Sequence, residues 1–377
     1  MNQKIKILLG VIGFWFILFL VLDWWNSYPR IKIIPVSSTN SKEEKLDSLL
    51  KASMTEFILP GLAVGIVEEG KITYQKAFGF QNLKTFDSLS AKSLIPVASI
   101  SKLFTALTAA HYWSEQGMGN ESKLLLAKPS SNSSSSLDEL QISDLLSHQS
   151  GIPKPGLFAK LFGKNSFVPL SEFGKELWKK NIQKPDSLVI RYADENYDLI
   201  GYLLEQSSKL DFDSLVSEAV FQPAGMKNSH FATEWPEDDN SMTGYQETFV
   251  WRRIEPRRIG FERIPSPSSG LVSSLEELDL FLIHLIRGDM GIFQEEFNWL
   301  KRNSEGSPIG FQKITLNETS FLGHYGGQAG YSSLLIFSPE QKNGLVMISN
   351  ARDTKDFRKE IAQRVLLVLS NPQKFEK

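Results

Sequence analysis

The first feature of the hydrophobic pattern is an apolar run near the N-terminus. Residues 7–22 carry no charge, two lysines precede them, and Asp23, Trp24 and Trp25 follow. At about 1.5 Å per residue this run spans roughly 24 Å of helix, and interfacial lysines and tryptophans can bridge the remainder of a hydrocarbon core of roughly 30 Å. The pattern predicts a transmembrane anchor over residues 1–28.

A cleaved signal peptide is the alternative interpretation of this run. Cleavage needs small residues just past the apolar segment, and the bulky Trp24 and Trp25 stand there instead. Lys4 and Lys6 precede the run, so the positive-inside rule places the N-terminus in the cytoplasm. We expect a single-pass protein whose remaining chain lies outside the cytoplasm.

The pattern then changes to elements of a folded body. Prolines and a Ser/Thr/Asn/Lys cluster predict a linker over residues 29–45, followed by an amphipathic helix over 45–57. Two β-rich runs, 62–67 and 72–78, are joined by four polar residues that include Gly70, which predicts an antiparallel hairpin.

Helical spacing begins at Ser99, behind which apolar residues recur three and four positions apart. From there to about residue 265 the pattern is mostly helical, interrupted by a Ser/Asn tract at 130–136 that predicts an exposed loop. Strand-like runs return at 309–316, 330–337 and 344–348, and a final amphipathic helix is predicted at 354–369.

This order predicts the fold class. Strands from both chain ends with helices between them indicate an α/β (α+β) domain, in which an antiparallel sheet is flanked by helices and a mainly helical lobe, about residues 100–265, is inserted. The predicted domain occupies residues 46–377. Its length allows either two lobes or one large unit with a sizeable core.

Composition excludes several functions. The formal net charge is −2, from 41 Lys and Arg against 43 Asp and Glu, so no bulk positive field attracts nucleic acid. Cysteine is absent from the sequence, which excludes disulfides, thiolate zinc sites and a thiol nucleophile. Other residues must carry any covalent chemistry. His111, His230 and His284 share no ligand spacing, so we expect them to be packing or surface residues and not a metal site.

Ser99-Ile100-Ser101-Lys102 places a hydroxyl and an amine three residues apart at a helix start, where both project from one face. This pair could act as nucleophile and base, and the positive helix end favours an oxyanion. The spacing alone is weak evidence, since Ser48-Leu49-Leu50-Lys51 repeats it in the predicted first helix.

Two further stretches carry candidate chemistry. Residues 191–197 place Tyr192 and Asp194 before a helical run, and the alternative to a functional loop is a helix N-terminus capped by Asp194 or Asn196. Residues 324–331 combine His324 with four small residues, where a ligand or another backbone can approach closely. The alternative for the latter stretch is a glycine-rich hairpin or bulge.

The order of these three motifs resembles the serine β-lactamase-like superfamily, in particular its class C β-lactamases, DD-peptidases, D-aminopeptidases and esterases. The similarity covers about residues 58 to 350. Four other stretches resemble that superfamily's landmarks in its order: residues 59–64, 145–151, 223–226 and 269–274.

The resemblance implies roles for particular residues. Ser99 would attack a carbonyl carbon, Lys102 and Tyr192 would manage its proton, and the backbone amides of Ser99 and Gly327 would form the oxyanion hole. His324, Gly326 and Asp194 would line the substrate cleft. The resemblance implies no metal and no cofactor.

Two positions depart from the most common pattern. Asp194 stands where the superfamily usually has asparagine, so it can accept but not donate hydrogen bonds, and Asn196 is the other candidate for the missing role. His324 stands where lactamases often carry lysine, which argues against an efficient β-lactamase. We interpret His148 as structural.

The sequence therefore predicts a membrane-anchored serine hydrolase that forms an acyl-enzyme on Ser99 and acts outside the cytoplasm, in a bacterial periplasm or at a cell surface. Its substrate would be an ester or a D-amino-acid-type amide, either a small molecule or a peptide. The alternative is a non-hydrolytic penicillin-binding-like module that binds cell-wall fragments or a partner protein. We expect no nucleic-acid partner, and the pattern gives no oligomeric state.

Overall fold

A long N-terminal helix, α1 (Gln3–Trp25), stands outside the folded body. The computed structural model describes residues 3–32, 41–124, 136–153, 168–180, 182, 184, 190–233, 242–248, 250–257, 263–287, 291–301, 308–328 and 330–370. Within those residues α1 is the one helix long and apolar enough to cross a membrane, with mean hydropathy 2.7 and no buried residue. Its length and composition agree with the predicted anchor.

The second helix, α2 (Lys42–Phe57), begins three residues before the predicted position. Ser41 starts it through a capping box: its hydroxyl accepts from the Glu44 amide at 3.1 Å, and the Glu44 carboxylate accepts from the Ser41 amide at 3.2 Å. The end of the predicted linker therefore belongs to the helix, and residues 33–40 lie outside the described part of the chain.

The predicted hairpin is confirmed as β1 (Gly61–Glu68) and β2 (Lys71–Asn82), an antiparallel pair. Its two turn residues, Glu69 (φ 52°) and Gly70 (φ 72°), are both left-handed, as the tight turn that matches strand twist requires. A short strand, β3 (Asp87–Ser88), pairs with the far side of β2.

The central part of the chain is mainly helical, as expected, with short strands between the helices. In chain order the described elements are β4 (Ile95–Pro96), a 3-10 turn (Ala98–Ile100), α3 (Ser101–Glu115), a 3-10 turn (Ser136–Glu139), α4 (Ile142–Leu146), β5 (Val168–Pro169), α5 (Leu170–Trp178), α6 (Glu195–Ser208), α7 (Phe212–Val216), a π-helical turn (Ser217–Phe221), α8 (Gln222–Ala224), β6 (His230–Phe231), β7 (Tyr245–Glu247), β8 (Ile254–Pro256), β9 (Arg263–Ile264) and β10 (Leu271–Ser273).

Of the predicted exposed serine tract at 130–136, only Ser136 is described. It begins a 3-10 turn and is half-buried, with its hydroxyl donating to the Lys180 carbonyl at 3.3 Å. The rest of that prediction lies outside the described residues.

The C-terminal part completes the sheet. It contains α9 (Leu275–Ile286), a 3-10 turn (Gly291–Phe293), α10 (Gln294–Leu300), β11 (Gln312–Leu316), β12 (Thr319–Gln328), β13 (Tyr331–Ser338), β14 (Asn343–Ser349) and α11 (Phe357–Ser370). Strand order is β11-β12-β13-β14-β1-β2-β3, so β14 lies against β1. The predicted sheet from both chain ends, with a helical lobe between them, is confirmed.

Strand β12 was not predicted from the sequence, in which strand-like runs were predicted only on either side of it. Three glycines, Gly323, Gly326 and Gly327, dilute its β-branched and aromatic pattern, although it pairs with β11 and β13 along its length. The glycine-rich stretch at 324–328 is therefore the end of an extended strand and one arm of the β12–β13 hairpin.

The two faces of the sheet are both covered. On one face α2 and α11 pack through apolar residues such as Leu50 and Ile361, and on the other the helical lobe and α9 form the larger core. Phe104 of α3 stacks on Phe281 of α9 at 4.4 Å between ring centroids. The start of α3 is thus fixed between the sheet and the lobe.

Candidate active site

Ser99 lies in the 3-10 turn that leads directly into α3. The preceding residue, Ala98, has φ 51°, a left-handed backbone at a non-glycine position, immediately before the candidate nucleophile. Lys102 follows in the first turn of α3, so the two side chains share one face of the helix. The helix start predicted at this position is confirmed.

The Lys102 ammonium is fully buried and makes three hydrogen bonds. It donates to Ser99 Oγ at 3.1 Å, to Asp194 Oδ1 at 2.7 Å and to the Ser268 carbonyl oxygen at 2.8 Å. An ammonium has three N–H donors, and these three acceptors use all of them. The lysine is therefore held in one orientation toward the serine.

Tyr192 approaches the same serine oxygen from the segment that precedes α6. Its hydroxyl donates to Ser99 Oγ at 2.9 Å, and its ring centroid lies 4.9 Å from Lys102 Nζ. Residues 93 positions apart in the chain thus meet at one oxygen. A hydroxyl, an ammonium and a phenol within hydrogen-bond reach form a set suited to nucleophilic attack and proton transfer.

Asp194 occupies the N-cap position of α6 but does not cap the helix with its side chain. Its backbone carbonyl accepts from the Tyr197 and Asp198 amides, while the carboxylate points to Lys102. Asp194 therefore caps α6 through its backbone carbonyl, and its side chain does not take part in the cap. The side chain is 47% exposed, which leaves part of the carboxylate open to solvent.

The charges of this pair are mutually stabilised. Burial acts to lower the pKa of Lys102, but the neighbouring Asp194 carboxylate and Tyr192 together outweigh that effect, so the pKa of Lys102 is raised above its ordinary value. Burial acts to raise the pKa of Asp194, but Lys102, with smaller contributions from Arg263 and His148, outweighs it, so the pKa of Asp194 is lowered. Both groups are ionised at neutral pH.

His148 supports the segment that carries Tyr192. Its ring lies 4.4 Å from the Tyr192 ring, and its Nδ1 accepts from the Ala193 amide at 3.3 Å. The Asn196 side chain also lies 3.2 Å from Nδ1, and its carbonyl oxygen accepts from Ser150. Asn196 is therefore engaged in the protein interior and does not reach Lys102 in Asp194's place. These contacts agree with the structural interpretation of His148, because the histidine holds the segment that carries Tyr192.

The buried charged residues that hold the Ser268 carbonyl in place were not identified from the sequence. The Ser268 amide donates to Asp198 Oδ1 at 2.9 Å, and Arg263 lies 2.9 Å from the other oxygen of Asp198 and 2.6 Å from Glu195. All three charged residues are buried. The Ser269-Gly270 landmark marks the neighbourhood, but the pairing of Arg263 with α6 has no signal in the local sequence.

Strand β12 runs beside the turn that carries Ser99. A Cβ placed on Gly326 would lie 2.2 Å from the Val97 carbonyl oxygen and 2.1 Å from Ser333 Oγ, and Ser333 donates to that same carbonyl at 2.7 Å. The close approach predicted for the stretch 324–331 is thus found at Gly326, and another part of the backbone makes it. Gly327 is exposed at the end of the strand, and a Cβ placed on it would find Arg358 as its nearest neighbour.

His324 lies on the same strand and is 2% exposed. Burial and the nearby Lys102 lower its pKa to about 3, so the imidazole is neutral. Its Nδ1 lies 2.6 Å from the Tyr325 carbonyl, which as an acceptor requires the proton on Nδ1. The centroid of its ring lies 6.2 Å from that of the Tyr192 ring, so His324 lies next to the site but beneath the protein surface.

A cavity of about 390 Å³ opens at the end of β12. It is lined by Arg257, Gly327, Gln328, Tyr331, Ser332, Arg352, Asp353 and Arg358. Asp353 is paired with Arg358 at 2.7 Å, so the lining carries an excess of positive charge. Within the described residues no group of three or more His, Cys, Asp or Glu side chains could hold a metal ion.

Comparisons with known proteins bear on the family and the fold. A family model described as "Beta-lactamase" matches residues 46–370. The chain is similar to Protein flp of Staphylococcus aureus (strain MW2), 21% identical over 327 residues, which are 83% of this chain and 64% of that protein. It is also similar to Penicillin-binding protein 4* of Bacillus subtilis (strain 168), 24% identical over 321 residues, covering 78% and 69%.

Among solved structures, the octameric penicillin-binding protein homologue from Pyrococcus abyssi has a similar fold. Its TM-score is 0.69 at 23% identity, covering 87% of this chain and 77% of that one. The chain spans slightly less than two thirds of the length of the staphylococcal relative.

Proposed function

The chain belongs to the β-lactamase family, and from that membership we propose that it is a membrane-anchored serine hydrolase that forms an acyl-enzyme on Ser99. The substrate would be an ester or a D-amino-acid-type amide outside the cytoplasm. The family's general chemistry is serine hydrolysis; the anchor, the substrate and the residue roles are our proposal.

The observation that carries the proposal is the convergence of two side chains on Ser99 Oγ. Lys102 Nζ lies 3.1 Å from this oxygen and the Tyr192 hydroxyl 2.9 Å from it. Because Asp194 keeps Lys102 protonated, Lys102 contributes charge, and Tyr192 is the group left to receive the serine proton.

The reaction then has two parts. Acylation requires Tyr192 as the phenolate, with Ser99 as the hydrogen-bond donor between them. Ser99 Oγ then bonds to the substrate carbonyl carbon while its proton passes to the Tyr192 oxygen, and the carbon's bond to the leaving group breaks as the Tyr192 hydroxyl gives that proton to the leaving group. In deacylation, water attacks the same carbon, its proton passes to Tyr192, and the acid leaves as Ser99 regains its proton. The backbone amides of Ser99 and Gly327 would stabilise the oxyanion formed in each part.

The charge of the cavity at the end of β12 favours a substrate with an anionic group. Arg257, Arg352 and Arg358 line the cavity beside Gly327, and arginine binds carboxylate and phosphate groups through paired N–H donors. A carboxylate-bearing ester is therefore the first substrate to try. Helix α1 supports the anchored location because it is apolar and none of its residues is buried.

The experiment is the intact mass of the full chain after exposure to a fluorophosphonate, an activated ester with or without a carboxylate, and a penicillin. We expect one adduct per chain, absent in Ser99→Ala. Ser48→Ala is the matched control because it disrupts the other Ser-x-x-Lys sequence, in α2, and should keep the adduct.

The reagent that acylates Ser99 would rank esterase against penicillin-recognising chemistry. A folded protein that gives no adduct with any reagent would contradict the proposal. That result would favour the alternative, a non-hydrolytic module that binds cell-wall fragments or a partner protein.

A further inference from the structure

A hairpin of the folded body is joined to the C-terminal end of α1. Strands β7 and β8 form this hairpin, and Tyr28, three residues after the end of α1, pairs with β8. The Tyr28 amide donates to the Ile254 carbonyl at 2.6 Å, and the Ile254 amide donates to the Tyr28 carbonyl at 3.0 Å. The Tyr28 ring also meets the edge of Tyr245 in β7. The helix end is thus docked on the domain before the chain reaches residues 33–40.

Arginine side chains make further contacts between the hairpin and the C-terminal end of α1. Arg253 donates to Ser27 Oγ at 2.8 Å and to the Ser27 carbonyl at 2.6 Å, and its guanidinium lies 5.0 Å from the Trp24 ring. From the other side, Arg30 donates to the Arg252 carbonyl at 2.6 Å. Bonds from both segments therefore fix the direction of α1 relative to the hairpin.

The tip of the hairpin extends back along α1. The Trp251 indole N–H donates to the Leu20 carbonyl at 3.1 Å, and Leu20 lies inside the uncharged run of α1. Leu20 is four residues before Trp24, roughly 6 Å deeper along a helix. Val250 and Trp251 expose 43% and 42% of their surface in spite of being apolar.

We propose that the tip of the β7–β8 hairpin, Val250 and Trp251, inserts into the interfacial region of the lipid bilayer beside α1. This inference depends on the proposed membrane anchor: if α1 crosses a bilayer, Leu20 lies near its surface, and a side chain bonded to Leu20 lies at the same depth. Tryptophan favours that region, and Arg30, Arg252 and Arg253 stand where lipid phosphates would be.

The same hairpin leads to the candidate active site. The Tyr245 amide in β7 lies within hydrogen-bond distance of the Gly330 carbonyl, at 3.1 Å, and of the Asn350 carbonyl, at 2.9 Å, both at the end of the sheet that carries Gly327. Arg257, directly after β8, lines the cavity beside Gly327. The bilayer contact would therefore hold the cavity beside Gly327 on the membrane-facing side of the domain, where substrates attached to the membrane could reach it.

The test is a depth measurement on the full chain in vesicles of phosphatidylcholine and phosphatidylglycerol. The sequence has no cysteine, so a single nitroxide label can be attached to Val250→Cys, which keeps Trp251 intact. Leu210→Cys in the helical lobe is the matched control, since Leu210 is 44% exposed and Val250 43%. Collision rates with O₂ and with a water-soluble nickel complex report the depth of each label, and flotation reports vesicle binding.

We expect the label at residue 250 to collide several-fold more often with O₂, relative to nickel, than the label at 210. Equal, water-like ratios at both positions in protein that floats with the vesicles would overturn the hairpin proposal and leave the anchor standing. Protein that does not float with the vesicles would instead contradict the anchor, and the hairpin proposal with it.

Discussion

Lys102 and Asp194 form an ion pair, 2.7 Å long, whose two ends lie in different surroundings. The ammonium is fully buried, whereas the carboxylate side chain is 47% exposed. One carboxylate oxygen of Asp194 therefore accepts a hydrogen bond from Lys102. The exposed part of the carboxylate borders the space that a substrate would enter. An ionised carboxylate in that position repels a substrate's carbonyl oxygen, because it can only accept hydrogen bonds.

From this relationship we expect Asp194→Asn to change substrate preference. The amide keeps an oxygen for Lys102 and gains N–H donors for a substrate amide carbonyl. Turnover of an amide-bearing substrate should rise relative to turnover of a simple ester of the same acyl group. Steady-state kinetics with the two substrates measure this ratio, and an unchanged ratio would show that Asp194 does not limit amide recognition.

Tyr192→Phe should slow acylation of Ser99 by about 10²- to 10⁴-fold, the usual contribution of a general base. The ring and its packing on His148 at 4.4 Å would remain, so the fold should be kept. Stopped-flow acylation by an activated ester gives the rate.

Tyr197→Phe is the control for this prediction. The Tyr197 ring lies 5.6 Å from Lys102 Nζ, but its hydroxyl donates to the Leu146 carbonyl and not to Ser99. Loss of that hydroxyl should affect stability and leave the acylation rate near that of the unmodified chain. Equal losses of rate in the two variants would argue against a base role for Tyr192.

Gly326→Ala should destabilise the fold and slow acylation together. The new Cβ would meet the Val97 carbonyl oxygen at 2.2 Å and so push β12 away from the turn that carries Ser99. Overpacking of this kind costs about 1 to 3 kcal/mol of unfolding free energy. At Gly327 the nearest atom to a new Cβ is an Arg358 nitrogen at 3.6 Å, so Gly327→Ala should change the unfolding free energy far less. Urea titrations of the two variants provide the comparison, and equal destabilisation would contradict it.

Asp279 should make stability depend on pH. It is buried on α9, its Oδ2 accepts from the Gln75 amide at 2.8 Å, and burial raises its pKa to about 7. The folded state then binds a proton that the unfolded state, with an ordinary pKa near 3.9, has released. The stability from this group is fully present below about pH 4, is lost as pH rises toward about 7, and stays lost above it.

A rise of about three pKa units corresponds to roughly 4 kcal/mol as an upper limit. Asp279→Asn is neutral at every pH and should flatten the dependence of unfolding free energy between pH 5 and pH 8, as measured by urea titration at each pH. Asp198, whose pKa burial raises to about 6, stays in both chains and contributes equally. Parallel pH profiles for the two chains would show that Asp279 does not titrate in this range.

The local sequence determined the elements whose causes are local. The hairpin of β1 and β2 followed from alternation and a turn glycine, α2 from its apolar spacing, and the Ser99–Lys102 pair from a three-residue interval that sets two side chains on one helix face. The uncharged run of α1 is likewise visible without any fold. In each case the interacting residues are neighbours in the chain, so their spacing alone fixes their relation.

Tertiary packing decided the rest of the candidate site. The hydroxyl of Tyr192 reaches Ser99 only because α6 packs on α3, and the Ser268 carbonyl reaches Lys102 across 166 residues because Arg263 and Asp198 hold its segment in place. The hydrogen bond between Arg253 and Ser27 links residues that are 226 positions apart in the chain. Such contacts depend on which surfaces are buried together, and burial is a property of the whole chain that no spacing of a few residues encodes.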